Sequence, residues 1–128
     1  MFVPVLLGMG QGPAAPDKIP VPAKKFAATF VDQMDMVTEC NDVSIDGGTF
    51  LEGKRGGGNL TISFDLIDNV TMAMNANRLT GSVKFRDGNS VELVLKKDQN
   101  AYGQTKYGTF QIKLADLKKI IFSRAPQK

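Results

Sequence analysis

A stretch from Gly53 to Met72, GKRGGGNLTISFDLIDNVTM, returns 50 residues later as Gly103 to Phe122, GQTKYGTFQIKLADLKKIIF. Without a gap, Gly53 falls on Gly103, Gly58 on Gly108, Leu60 on Phe110, Ile62 on Ile112, Phe64 on Leu114, Ile67 on Leu117, Val70 on Ile120 and Met72 on Phe122. What recurs is turn glycine and apolar residue, so the repeat specifies where the chain turns and which side it buries. In each copy the apolar residues first alternate, at Leu60, Ile62 and Phe64 and again at Phe110, Ile112 and Leu114. That is the period of a half-buried strand. The next apolar positions, Ile67, Val70 and Met72 or Leu117, Ile120 and Phe122, break the period. One compact 3₁₀ turn, at Asp65 to Ile67 and at Ala115 to Leu117, keeps the apolar face inward while redirecting the chain.

A chain of 128 residues holds one hydrophobic core and is too short for two ordinary domains. Two halves of about 50 residues are each marginal alone, which predicts that they share a core. The remaining chain supplies further strand signals. Phe26, Ala28 and Phe30 alternate ahead of a turn near Asp32 to Asp35. Val37 to Ile45 follows, with Val43 and Ile45 inward, and ends in Asp46-Gly47-Gly48. Ala73 to Arg78 reads as a polar connection or short helical turn, and Leu79 to Phe85 and Ser90 to Leu95 flank Asp87-Gly88, a hairpin signal. Met34 and Met36, like Met72 and Met74, are spaced by two and read as core filling. The expected fold is all-β: about eight short strands in a small closed or nearly closed sheet, barrel or sandwich, built from two similar halves. The domain spans 25–124, with pseudo-repeats at 25–74 and 79–124.

Ahead of it, 1–24 comprises an apolar run, MFVPVLLGMGQG, and a linker carrying Pro13, Pro16, Pro20 and Pro22. The run is too short to span a bilayer. It has the character of a secretory hydrophobic region, although no basic residue precedes it. Prolines favour an extended linker.

Residue types narrow the chemistry. Histidine is absent, which removes the commonest general base and metal ligand. Cys40 stands alone, so no intramolecular disulfide forms, and without a histidine to activate it the thiol is expected to be buried and inert. Lys54-Arg55-Gly56-Gly57-Gly58 runs into a strand rather than a helix, contrary to a phosphate loop. The scattered aspartates suit turns rather than a calcium loop. No catalytic residue, metal or cofactor is called for. Asn59-Leu60-Thr61 and Asn69-Val70-Thr71 match the glycosylation triplet, which matters only in a eukaryotic secretory protein.

The copies differ in their outward positions. Ser63 becomes Lys113, Asp68 becomes Lys118, Asn69 becomes Lys119, Asp46 becomes Lys96 and Gly47 becomes Lys97. Through Met72 the chain has 5 basic and 9 acidic residues; from Ala73 it has 11 and 4. A cationic face formed by Lys84, Arg86, Lys96, Lys97, Lys113, Lys118 and Lys119, with Tyr102 and Tyr107 beside it, is the candidate ligand-binding set.

The ending VKFRDGNSVELVL and YGQTKYGTFQIKLADLKKIIF resembles short β-modules of exported bacterial proteins. In those, an Asp-Gly hairpin precedes a Tyr-Gly turn, an alternating strand, a tight turn and a final strand. The hairpin half is similar to small Sm-type barrels. The resemblance covers Val83 to Phe122 and implies a β-fold and export; its residues are structural, so it carries over no functional residue. The expected function is a noncatalytic binding or structural β-domain of a bacterial envelope or secreted assembly, periplasmic or secreted. The partner is an unknown protein or a polyanion. The alternative is a cytoplasmic small barrel that binds nucleic acid or another polyanion through the basic second-half face.

Overall fold

The computed structural model describes residues 25–123; the apolar run, the linker and the tail after Ser123 lie outside them. Ten strands appear, in chain order β1 (Ala28–Asp32), β2 (Val37–Ile45), β3 (Phe50–Arg55), β4 (Gly58–Ser63), β5 (Ile67–Asn75), β6 (Arg78–Phe85), β7 (Ser90–Leu95), β8 (Asn100–Thr105), β9 (Gly108–Lys113) and β10 (Leu117–Phe122). They form one antiparallel sheet in the order β4-β3-β7-β6-β5-β10-β1-β2-β8-β9.

The centre of the sheet is a row of apolar side chains on one face. The register places Val91 beside Val83, Val83 beside Val70, Val70 beside Ile120 and Ile120 beside Phe30. Val83, Val70, Ile120 and Phe30 are all buried. Successive strands contribute one inward residue each, so the alternation read from sequence becomes a continuous apolar stripe across five strands, buried on four and half-buried at Val91.

From this centre the sheet curls towards both ends. Phe30 on β1 stacks on Phe110 of β9, 5.9 Å between centroids, although two strands lie between them in the order. Phe64, which follows β4, lies 4.6 Å from Phe122 of β10 and meets Phe26 edge-on at 5.5 Å. One core cluster results, drawing on all ten strands.

The two 3₁₀ turns span Phe64–Leu66 and Leu114–Asp116, one residue earlier than the spacing predicts. Phe64 and Leu114 are buried in them. Phe64 N–H donates to the Thr49 carbonyl, and Leu114 N–H to that of Gln99, so each turn is held to the segment that enters the preceding hairpin. The first also receives Arg86, whose backbone N–H donates to the Leu66 carbonyl.

Four expectations are corrected. The sheet is not closed: the final strands β5 and β10 pair with one another at the centre, so the β3–β4 and β8–β9 hairpins are left at opposite ends of the order. Strands number ten rather than eight. Ala73 to Arg78 is not a separate connection; β5 and β6 run on to a two-residue turn at Ala76 and Asn77, with φ of 50° and 66°, the geometry of a tight hairpin. Of the four methionines, only Met72 is in the core; Met34 and Met36 are 83% and 64% exposed and Met74 is 43% exposed. Asp32 explains the first pair. Its carboxylate accepts from the backbone N–H groups of Met34 and Met36, which makes that segment a turn beyond the sheet rather than a strand.

Two of the shared glycines are required by close approach. A Cβ on Gly53 would lie 2.7 Å from the Leu93 Cβ, and one on Gly103 would lie 2.4 Å from the Cys40 Cβ and 2.8 Å from its Sγ. Gly103→Ala is expected to destabilise the protein by about 1–3 kcal/mol through overpacking. Gly57→Ala, with nothing within 4 Å of the added atom, is expected to stay within about 0.5 kcal/mol of the parent. Urea denaturation of the two variants checks the difference.

Candidate functional site

The nine candidate residues do not converge. Lys84 and Lys119 come nearest to sharing a site: Lys84 on β6 is opposite Asn69, and Lys119 on β10 is opposite Thr71. The two lysines thus flank β5 on one face at neighbouring levels, with Asn69 and Thr71 between them. Ser82, opposite Thr71, adds a hydroxyl to this patch.

The others stand apart, and several are engaged in holding the fold. Arg86 donates from Nε to the Asp65 carbonyl at 3.1 Å and from a terminal nitrogen to the Ser123 carbonyl at 2.9 Å, tying the first 3₁₀ turn to the end of β10. Lys97 donates to the carbonyl and side-chain oxygen of Asn77 at 3.0 and 2.6 Å, fixing the β5–β6 turn. Lys118 pairs with Asp35 and so fastens β10 to the β1–β2 turn. Lys96 is exposed just beyond β7, and Lys113 is exposed at the end of β9 opposite Asn100. Tyr102 is half-buried on β8 between Ser44 and Gln111. Tyr107 is 91% exposed at the β8–β9 turn, with the Lys106 ammonium 5.7 Å from its ring centroid.

Among the described residues, two hollows of similar size lie away from this pair of lysines. One, of about 550 Å³, is lined by Asp65, Leu66, Phe85, Arg86, Asp87 and Asn89. Its arginine is already committed to two carbonyls. A second, of about 530 Å³, includes Glu39, Cys40, Gln104 and Lys106 among its lining. Cys40 itself is buried, and burial pushes its thiol up to about 11, which leaves it protonated and poorly nucleophilic at neutral pH. Among the described residues, no three His, Cys, Asp or Glu side chains are grouped to hold a metal, and no helix is long and apolar enough to cross a membrane.

The feature that reading the sequence missed is the pair of sheet ends. Among the described residues β4 pairs with β3 alone and β9 with β8 alone. The local sequence signals a hairpin at each place, but which strand of a hairpin ends a sheet is settled by distant partners.

Fold and surface together define an all-β protein whose open antiparallel sheet offers two edges and a polar outer face. A family model described as "Uncharacterised protein" matches residues 22–125, and the chain belongs to that family. Neither the curated proteins nor the solved structures give a match.

The buried thiol has a pH consequence. The folded state holds Cys40 protonated, whereas the unfolded chain releases that proton in the ordinary thiol range, about 8.5. Its contribution to stability is therefore level below that range and lost as pH rises from there to about 11, because the unfolded state then binds fewer protons. Urea midpoints measured across this window should fall more steeply for the parent than for Cys40→Ala.

Proposed function

We propose that the chain is a noncatalytic binding or structural β-domain of a bacterial envelope or secreted assembly, and that it engages its partner by adding a strand to an open edge of its sheet. The carrying observation is the regularity of the end strands. β4 pairs with β3, and β9 with β8, over six consecutive positions without a register shift. Neither end strand contains proline or an acidic residue, and the single charge in the two is Lys113. Edge strands are ordinarily blunted by charge, proline or bulges, since their free N–H and C=O groups template further pairing. A regular edge of this kind is what strand addition uses.

The same reading treats the chain as two similar halves that exchange strands. β3, β4, the first 3₁₀ turn and the start of β5 precede β8, β9, the second 3₁₀ turn and the start of β10 by 50 positions. The pairing of β5 with β10 is centred on Val70 and Ile120, which are 50 apart in sequence. Exchange would give halves too small to stand alone a common core. Placement outside the cytoplasm is supported by the apolar N-terminal run, the proline linker and the resemblance of Val83 to Phe122 to modules of exported bacterial proteins.

The second reading, a polyanion site, is favoured by one observation: Lys84 and Lys119 flank Asn69 and Thr71 on one face. Such a site recognises phosphate or sulfate groups chiefly through the two ammonium charges and the Thr71 hydroxyl, since the Asn69 amide already donates to Asp68 and Glu92 stands opposite Ser82.

A photo-crosslinking residue placed at Thr61 in the native host should give adducts, whereas one at Ser82 should not. Adducts from Ser82 alone would favour the second reading. Under that reading, affinity for a single-stranded oligonucleotide falls steeply with salt, and Lys84→Gln with Lys119→Gln lowers the slope of log K against log salt by about 1.5. Salt-independent or absent binding rejects it.

A further inference from the structure

The reading above leaves the occupant of the edge open; the geometry of β4 points to one. We infer that β4 pairs antiparallel with β4 of a second copy of this chain, about a two-fold axis at Thr61, and that the protein is a reversible homodimer. This rests on the strand-addition reading and adds the partner.

The turn between β3 and β4 has two residues, Gly56 and Gly57, closed by the pair Arg55 and Gly58. In a hairpin of this type the closing residues exchange hydrogen bonds, and the direction of the main-chain groups alternates from there. Gly58, Leu60 and Ile62 therefore point theirs at β3, while Asn59, Thr61 and Ser63 point theirs at the open side. Side chains set a second condition. Leu60 is half-buried and Ile62 buried on the inner face, while Asn59 and Thr61 are exposed. Continuing both faces across a seam requires residues of the same face to stand opposite one another.

A two-fold axis at Thr61 meets both conditions. Thr61 faces Thr61 of the second copy, Asn59 faces Ser63, and Leu60 faces Ile62. The outward residues then exchange about four N–H···O bonds through free carbonyls, that of Ser63 being engaged by the 3₁₀ turn it caps, and the half-buried Leu60 gains an apolar neighbour. Charge fits as well. Residues 56 to 64 carry none, so nothing repels along the seam.

β9 fails where β4 succeeds. Its outward residues, by the same count, are Thr109, Gln111 and Lys113, and Lys113 stands where β4 has Ser63. A lysine at the seam is a recognised guard against pairing. With one edge open and the other guarded, association closes at a dimer rather than continuing as a filament. A seam six residues long buries less than the roughly 1,200 Å² of a stable interface, so dissociation on the order of micromolar is expected.

Sedimentation of the full chain over a range of concentrations tests this. The expected result is a dimer that grows with concentration. Thr61→Glu, which sets like charges opposite one another on the axis, should raise the dissociation constant by at least about tenfold. Gln111→Glu should leave it unchanged. Because Thr61 is exposed, Thr61→Glu leaves the fold intact, and mixing Thr61→Glu with Thr61→Lys should restore association as a heterodimer. A parent that stays monomeric, or a dimer lost in Gln111→Glu and kept in Thr61→Glu, overturns the inference. Crosslinks from Thr61 to a different protein would overturn it too, yet leave strand addition standing, whereas a parent without edge adducts of any kind loses both.

Discussion

The pairing of β5 with β10 governs the rest of the molecule. It places Val70 against Ile120 at the middle of an apolar row that runs from Val91 to Phe30. Each of these residues is presented by a different strand, so none of the five strands can bury its share without the neighbours on both sides. Spending the two final strands on each other also decides the architecture. A strand that pairs at the centre is no longer available to close the hairpin it follows, and the sheet ends openly on β4 and β9.

Part of this was legible because it is local. Ser90 to Leu95 matches β7, since alternation bounded by turn residues fixes both the period and its limits; Val37 to Ile45 matches the limits of β2, although its alternation is broken by a register shift beside Asp42. The 3₁₀ turns followed from the break in period after Phe64 and Leu114. Gly53 and Gly103, expected as turn glycines, instead lie inside β3 and β8, where there is no room for a side chain, as Gly103 against Cys40 shows. The order of the strands was not legible, because it rests on pairs such as Ala28 with Phe122 that lie almost a hundred positions apart. Openness of the sheet is a property of that order alone.

Candidate residues were harder to read than the fold. A lysine's charge is visible in sequence, but its employment is not: Lys97 caps a turn and Lys118 pairs with Asp35, while Lys84 and Lys119 are arranged across β5. Arg86 shows why the distinction matters, since its guanidinium is spent on two backbone carbonyls. The methionines make the reverse point. Spacing by two suggested a buried face at Met34 and Met36, yet the Asp32 carboxylate collects their N–H groups into a turn, and a local hydrogen bond outweighs a two-residue pattern.

Differences between the halves acquire meaning only once the edges are placed. Ser63 and Lys113 look in sequence like one more exchange of neutral for basic residue. On the sheet they are the corresponding positions of the two end strands, where a charge has a specific effect on pairing. A chain with two equivalent open edges would add copies at both ends without limit, because each new subunit restores the edge it covers. A single lysine at one edge removes that symmetry at little cost to the fold, since Lys113 is exposed and its strand pairs with β8 on the other side. The divergence that first suggested a cationic ligand face is thus equally well explained, at this position, as the device that limits how far the sheet extends.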